Sequence, residues 1–167
     1  MAESLADQVR RKVDGARDLY HRLILVVGPA GSGKTSALQD VSASLSAPLV
    51  NVNLELSGRM LSLSERQRTL QLSRLLGEIV RETEGELVLL DNLEILFDIH
   101  LKQDPLRLLQ GVSRNKTVVA TWNGAVVDGH ITYAVPDHPE YRRYAIRDFL
   151  VVRVGATARN ATNNKLS

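Results

Sequence analysis

The residues best suited to chemistry form one short run, Gly28-Pro29-Ala30-Gly31-Ser32-Gly33-Lys34-Thr35, with Ser36 behind it. It fills the pattern G-x-x-x-x-G-K-[ST], the Walker A loop, without a gap. A phosphate chain needs a row of backbone N–H groups turned inward. Glycines at 28, 31 and 33 permit φ values that a Cβ forbids. Lys34 supplies a point charge for the β- and γ-phosphates of ATP, and the Thr35 hydroxyl is a hard oxygen ligand for Mg²⁺. A second motif is Leu87-Val88-Leu89-Leu90-Asp91-Asn92-Leu93-Glu94. Four apolar residues ending in an aspartate describe a buried strand with one carboxylate at its C-terminal tip, the edge where open parallel sheets bind ligands. Asp91 there takes the Walker B role, meeting the hydrated metal held by Thr35. A third apolar run, Thr117–Asn123, also ends in polar groups, so that Thr121 or Asn123 reaches the same edge.

These side chains need a scaffold, and the flanking sequence supplies it. Apolar Leu23–Val27 leads into the loop, and Leu38, Val41 and Leu45 follow it at helical spacing with no glycine or proline between. Strand, glycine loop and helix is the order a phosphate site requires, with the helix adding free N–H groups and its positive dipole end. A glycine-rich hairpin turn would be followed by a strand instead.

Upstream, Leu5, Val9, Val13, Ala16, Leu19 and Tyr20 predict an amphipathic helix within residues 1–22, with Arg10, Arg11 and Lys12 on its wet side. It reads as a packing helix, or alternatively as a wall for an adenine. Downstream, Val50, Val52, Leu54 and Leu56 alternate with polar residues and predict a strand over 48–56. A long helix is predicted from about Ser64 to Glu84, with Leu72, Leu75, Leu76, Ile79 and Val80 on one face and Gly85 as its stop. Asp104-Pro105 opens a shorter helix, and Ile131–Val135 predicts a further strand. Residues 146–154 fit strand and helix equally, and 156–167 read as a frayed tail. The whole is one α/β domain over 1–155, three layers around a mainly parallel five-stranded sheet.

Composition narrows the function. Of 167 residues 44% are hydrophobic and 24% charged, as in ordinary globular domains, and 4% are aromatic, which leaves no stacking platform for single-stranded nucleic acid. There is no cysteine, hence no disulfide or thiolate metal site, and the four histidines stand without ligand spacing. No apolar run has the length of a membrane span and no signal-peptide core opens the chain, so a cytoplasmic protein without a membrane partner is expected. Net charge is +2. Toward the C-terminus, however, Arg142, Arg143, Arg147, Arg153, Arg159 and Lys165 meet only Glu140 and Asp148.

With the strand Thr117–Asn123 following the Asp91 strand, residues 23–152 resemble the additional-strand class of P-loop ATPases, which includes the AAA+ proteins. In that class an inserted strand carries a sensor residue, so the resemblance implies that Thr121 or Asn123 addresses the γ-phosphate or the attacking water. Two departures stand out. The class has a glutamate directly after the Walker B aspartate, and this chain has Asn92. Glu94, three residues past Asp91, takes that place if a helical turn begins there; it equally fits an acidic residue at a helix start. The stretch between Trp122 and Ile131, where the class often carries an arginine finger, holds no arginine. That leaves Arg142, with Arg143 and Arg114, as the source of a finger directed into a neighbouring subunit. The competing reading of this basic cluster is contact with DNA phosphates. A C-terminal helical lid is not expected.

The segments Gly-Pro-Ala-Gly-Ser-Gly-Lys-Thr, Leu-Leu-Asp-Asn-Leu-Glu and His-Pro-Glu-Tyr also resemble the BrxF family of type three BREX bacteriophage-exclusion systems. This resemblance implies a role in bacterial antiviral defence beside a large ATPase, a DNA methyltransferase and a phosphatase-like protein. Together the readings give a slow or partner-activated ATPase, working as a homo-oligomer or in a complex. One alternative is a nucleotide-switched assembly module that does not hydrolyse ATP. The other is a small-molecule kinase, for which Arg66-Gln67-Arg68 is the nearest lid-like pair and Glu55 the nearest acceptor-binding acid.

Overall fold

The computed structural model describes residues 3–155, so the expected tail at 156–167 lies outside the described residues. Among the described residues seven strands follow in chain order: β1 (Leu23–Gly28), β2 (Leu49–Asn51), β3 (Leu87–Asp91), β4 (Thr117–Val127), β5 (His130–Tyr133), β6 (Arg142–Ala145) and β7 (Leu150–Arg153). Five of them form a parallel sheet in the order β2-β3-β4-β1-β7. The helices are α1 (Leu5–Gly15), α2 (Lys34–Leu45), α3 (Val52–Met60), α4 (Glu65–Glu82) and α5 (Pro105–Val112). None among the described residues is long and apolar enough to cross a membrane.

Strand alternation decides which helix goes where. Leu23, Leu25 and Val27 of β1 join a core built with α3, α4 and α5, whereas Ile24 and Val26 join a second core with α1 and α2. All six residues of β1 are buried, because the strand is covered on both faces and paired on both edges. Residue pairing of Leu23 with Val118 through Gly28 with Asn123 brings the tip of β4 level with the start of the glycine loop.

Two expectations are corrected and one left open is decided. The alternating stretch after Pro48 is a strand only as far as Asn51 and then becomes α3. The Asn51 side chain accepts from the Leu54 N–H as an N-cap, and Val52, Leu56 and Met60 bury at four-residue spacing while Leu54 is 68% exposed. The N-terminal helix stops at Gly15, so Tyr20 is not on it; the Tyr20 ring is exposed and carries the Arg114 guanidinium 4.8 Å from its centroid. Within residues 146–154 the strand alternative holds, as Leu150–Arg153 form β7, which pairs with β1. Arg142 and Arg143, in β6, thus precede the last strand of the parallel sheet.

The remaining addition is an antiparallel extension. Beyond Asn123, β4 leaves the parallel sheet and pairs Gly124–Val127 with β5, which in turn pairs with β6. The strand expected at 131–135 is thus the middle of a three-stranded meander standing on the C-terminal edge of the sheet. The long helix holds over Glu65–Glu82, with a capping box between Ser64 and Gln67 at its start, and ends at an extended Thr83 rather than at Gly85. The helix opened by Pro105 holds as well.

Candidate functional site

The loop after β1 is shaped by its glycines in two ways. Gly31 and Gly33 take φ of +73° and +98°, the left-handed region, and Gly33 is the residue from which α2 departs. Gly28 is needed for space instead, since a Cβ there would stand 2.7 Å from Val154 of the segment after β7. Lys34, the first residue of α2, is 5% exposed. Its Nζ donates to the carbonyls of Gly28 at 2.7 Å and Pro29 at 2.6 Å, and to Ser32 Oγ at 3.4 Å. Burial lowers its pKa from the ordinary lysine value, opposed by the nearby charges of Asp91 and Glu94.

Asp91 is the hub of the polar contacts. The Thr35 hydroxyl donates to its Oδ2 at 2.7 Å, and the Thr121 hydroxyl to its Oδ1 at 2.7 Å. The Asn92 N–H adds a contact to Oδ1 at 2.9 Å, from a residue at φ +56° that turns the chain sharply off the strand. Glu94 begins a short 3-10 turn over Glu94–Phe97, and its carboxylate accepts from Asn123 Nδ2 at 2.7 Å and Asn53 Nδ2 at 3.3 Å. Lys34, Thr35, Ser36, Ala30, Gly31 and Gly33 share one cavity of about 400 Å³ with Asp91, Asn92, Glu94 and Asn123. A larger cavity, about 610 Å³, lies between α4 and α5 and holds none of these groups, so it is the chemistry of the lining that singles out the smaller one.

The structure thus brings together the glycine loop, Lys34, Thr35, Asp91, Glu94 and Asn123. Thr121 sits behind Asp91 rather than on the cavity. Its hydroxyl is committed to the carboxylate, which leaves Asn123 as the polar tip of β4 that reaches the cavity. Arg142 is not brought in: its Nη2 donates to the Gln103 carbonyl at 2.9 Å. Arg143 is exposed beside His130, and Arg114 is taken up by Tyr20. Arg66 and Arg68 belong to α4, where Arg68 Nε bonds the Met60 and Leu63 carbonyls, and form no lid over the loop. Helix α1 contributes no residue to the cavity either.

Asn53 is the residue that sequence reading missed. It binds Glu94 by its side-chain N–H and the Ile95 N–H by its Oδ1 at 2.8 Å, while its own N–H donates to the Asn92 carbonyl at 2.8 Å. The signal was available. Asn51 pairs with Asp91 across β2 and β3, so the edge argument applied to β3 and β4 also points to the end of β2.

No protein-family model and no curated protein matches the chain. Among solved structures it is similar to C. elegans PCH-2, at 19% identity and a TM-score of 0.43 over 97% of this chain and 45% of that one. It is also similar to a chain of Drosophila ORC bound to DNA, at 16% identity and a TM-score of 0.45 over 96% and 48%. The chain spans less than half the length of either. The architecture is an α/β fold with a mainly parallel sheet, in which a glycine loop leaves β1, an acid ends β3 and β4 is inserted between those two strands.

Proposed function

We propose that this protein binds ATP at the glycine loop and hydrolyses it slowly, with full turnover reached only in an assembly. The observation that carries the reading is the Asp91 carboxylate, which accepts from Thr35 and from Thr121 at 2.7 Å each and, with Thr35, lines a cavity that also holds Lys34 and Glu94. A hydroxyl and a carboxylate oxygen at this spacing form a hard-oxygen donor set that fits Mg²⁺. Thr35 and Asp91 would hold it, and its charge would offset that of the β- and γ-phosphates. Lys34 leaves its loop carbonyls for phosphate oxygens, which are stronger acceptors. Asn123 orients the terminal phosphate or the water, and Glu94 accepts the proton of that water.

The test is Lys34→Ala. Loss of Mg-ATP binding by calorimetry, with an unchanged circular dichroism spectrum, is the expected result; unchanged affinity would sink the site assignment.

A second reading, a switch module that binds ATP and hardly hydrolyses it, is favoured by one feature. Asn92 stands where the related class has its glutamate, and Glu94 is already held by two asparagine amides. Phosphate release separates the two readings. For the biological setting we take antiviral defence of the BREX kind, on the three sequence segments that resemble BrxF. Co-purification with a large ATPase, a methyltransferase or a phosphatase-like protein encoded alongside it tests that assignment.

A further inference from the structure

The turn that carries Glu94 is four residues of 3-10 helix, a short element with poor hydrogen-bond geometry that needs outside support. Asn53 ties its first end. Its last residue, Phe97, is 2% exposed and lies flat against Tyr133 of β5, with ring centroids 3.6 Å apart and planes 9° from parallel. Trp122 meets both rings edge-on, at 5.0 Å and 6.3 Å. The parallel sheet does not require β5, yet β5 is fastened here closely. Trp122 Nε1 donates to the Thr132 carbonyl at 3.0 Å, and Gly124 stands where a Cβ would come within 1.7 Å of that same oxygen. On the far side of the meander, the Tyr144 hydroxyl donates to Asp104 Oδ1 and Arg142 to the Gln103 carbonyl, each at 2.9 Å.

Glu94 is therefore held from three directions: by Asn53 after β2, by Asn123 on β4, and along its own turn by Phe97 against β5. Tyr133, Glu94 and Asn123 also line one small cavity of about 10 Å³, room for a single water at most. Burial, and then the charges of Glu140 and Glu94, push the Tyr133 hydroxyl up to about 12, so a neutral phenol borders that space.

We propose that Tyr133 is a positioning residue: its ring, stacked on Phe97, fixes the Glu94 turn and so the direction of the carboxylate. The inference rests on reading Glu94 as the base of the reaction. A ring that merely filled space would affect stability and binding together. A ring that aims a carboxylate affects the chemical step alone, where a small misplacement is enough to slow it severely.

Tyr133→Phe keeps the stack, and Tyr133→Leu keeps an apolar side chain without the flat face. The leucine variant is expected to lower kcat roughly tenfold with Mg-ATP affinity unchanged, and the phenylalanine variant to match the parent. A readout without nucleotide accompanies this. The side-chain amide signal of Asn123, which donates to Glu94, is followed by nitrogen-15 NMR and is expected to move in Tyr133→Leu but not in Tyr133→Phe. Phe97→Leu removes the other half of the stack and serves should Tyr133→Leu fail to fold. An Asn123 amide unmoved in both leucine variants, or parent-like turnover in them, overturns the proposal. A parent that binds Mg-ATP without turnover removes the base assignment instead, and the amide signal still decides whether Tyr133 holds Glu94.

Discussion

Asp91 accepts from three donors that reach it from α2, from β4 and from its own following residue. Its carboxylate cannot turn without breaking contacts in three segments, so it stays aimed before any ligand arrives. Asp91→Asn keeps the shape and replaces one oxygen with a donor; with the amide nitrogen in the place of Oδ2 the Thr35 hydroxyl accepts by rotating, while Thr121 and the Asn92 N–H keep their acceptor. The expected outcome is a folded protein with about 1 kcal/mol less stability and clearly weaker Mg²⁺-dependent binding, read by denaturation and calorimetry. Glu94→Gln acts differently. It preserves binding and lowers phosphate release by about a hundredfold or more if Glu94 is the base. Hydrolysis at the parent rate would return Glu94 to the role of an ordinary acidic residue opening a helical turn.

Individual elements tell which parts of the sequence were readable. Strands β1, β3 and the first half of β4 are continuous apolar runs with polar tips, and nothing else fits such runs beside a glycine loop. The segment after Pro48 misled because Val52 and Leu56 serve both periods, two and four, and only the capping side chain of Asn51 favours the helix. The clustering of Lys34 and Thr35 with Asp91 and Asn123 followed from the glycine loop that starts α2 and from the polar ends of the apolar runs. The hold of Asn53 and Tyr133 on Glu94 did not, because it depends on where α3 begins and on how the meander folds back. That fold depends in turn on Gly124, which no local pattern marks. Gly124→Ala is expected to cost about 1–3 kcal/mol in chemical denaturation, because β5 must retreat from β4. The emission of Trp122, whose ring bonds β5, should change with it.

At the scale of the whole molecule, one chain brings the loop, Asp91, Glu94 and Asn123 to the cavity, with no arginine among its described lining residues. An arginine supplied by a neighbour is worth on the order of a thousandfold in such reactions. Turnover per subunit is therefore expected to rise with protein concentration, and Arg142→Ala or Arg143→Ala to suppress the rise while leaving ATP binding intact. A flat rate from dilute protein upward, with those variants and Arg114→Ala all harmless, would exclude the assembly model. A steep loss of DNA binding with salt in the parent, absent from the same variants, would assign the cluster to phosphates instead. The insertion of β4 between β1 and β3 reaches further than the site. Leu23 pairs with Val118, so the strand that carries the glycine loop has no partner on that edge until most of the chain has been synthesised. Such distant pairing makes for slow folding and leaves apolar edges open meanwhile. A nascent chain that ends before β4 leaves the facing edges of β1 and β3 unpaired until the strand between them arrives.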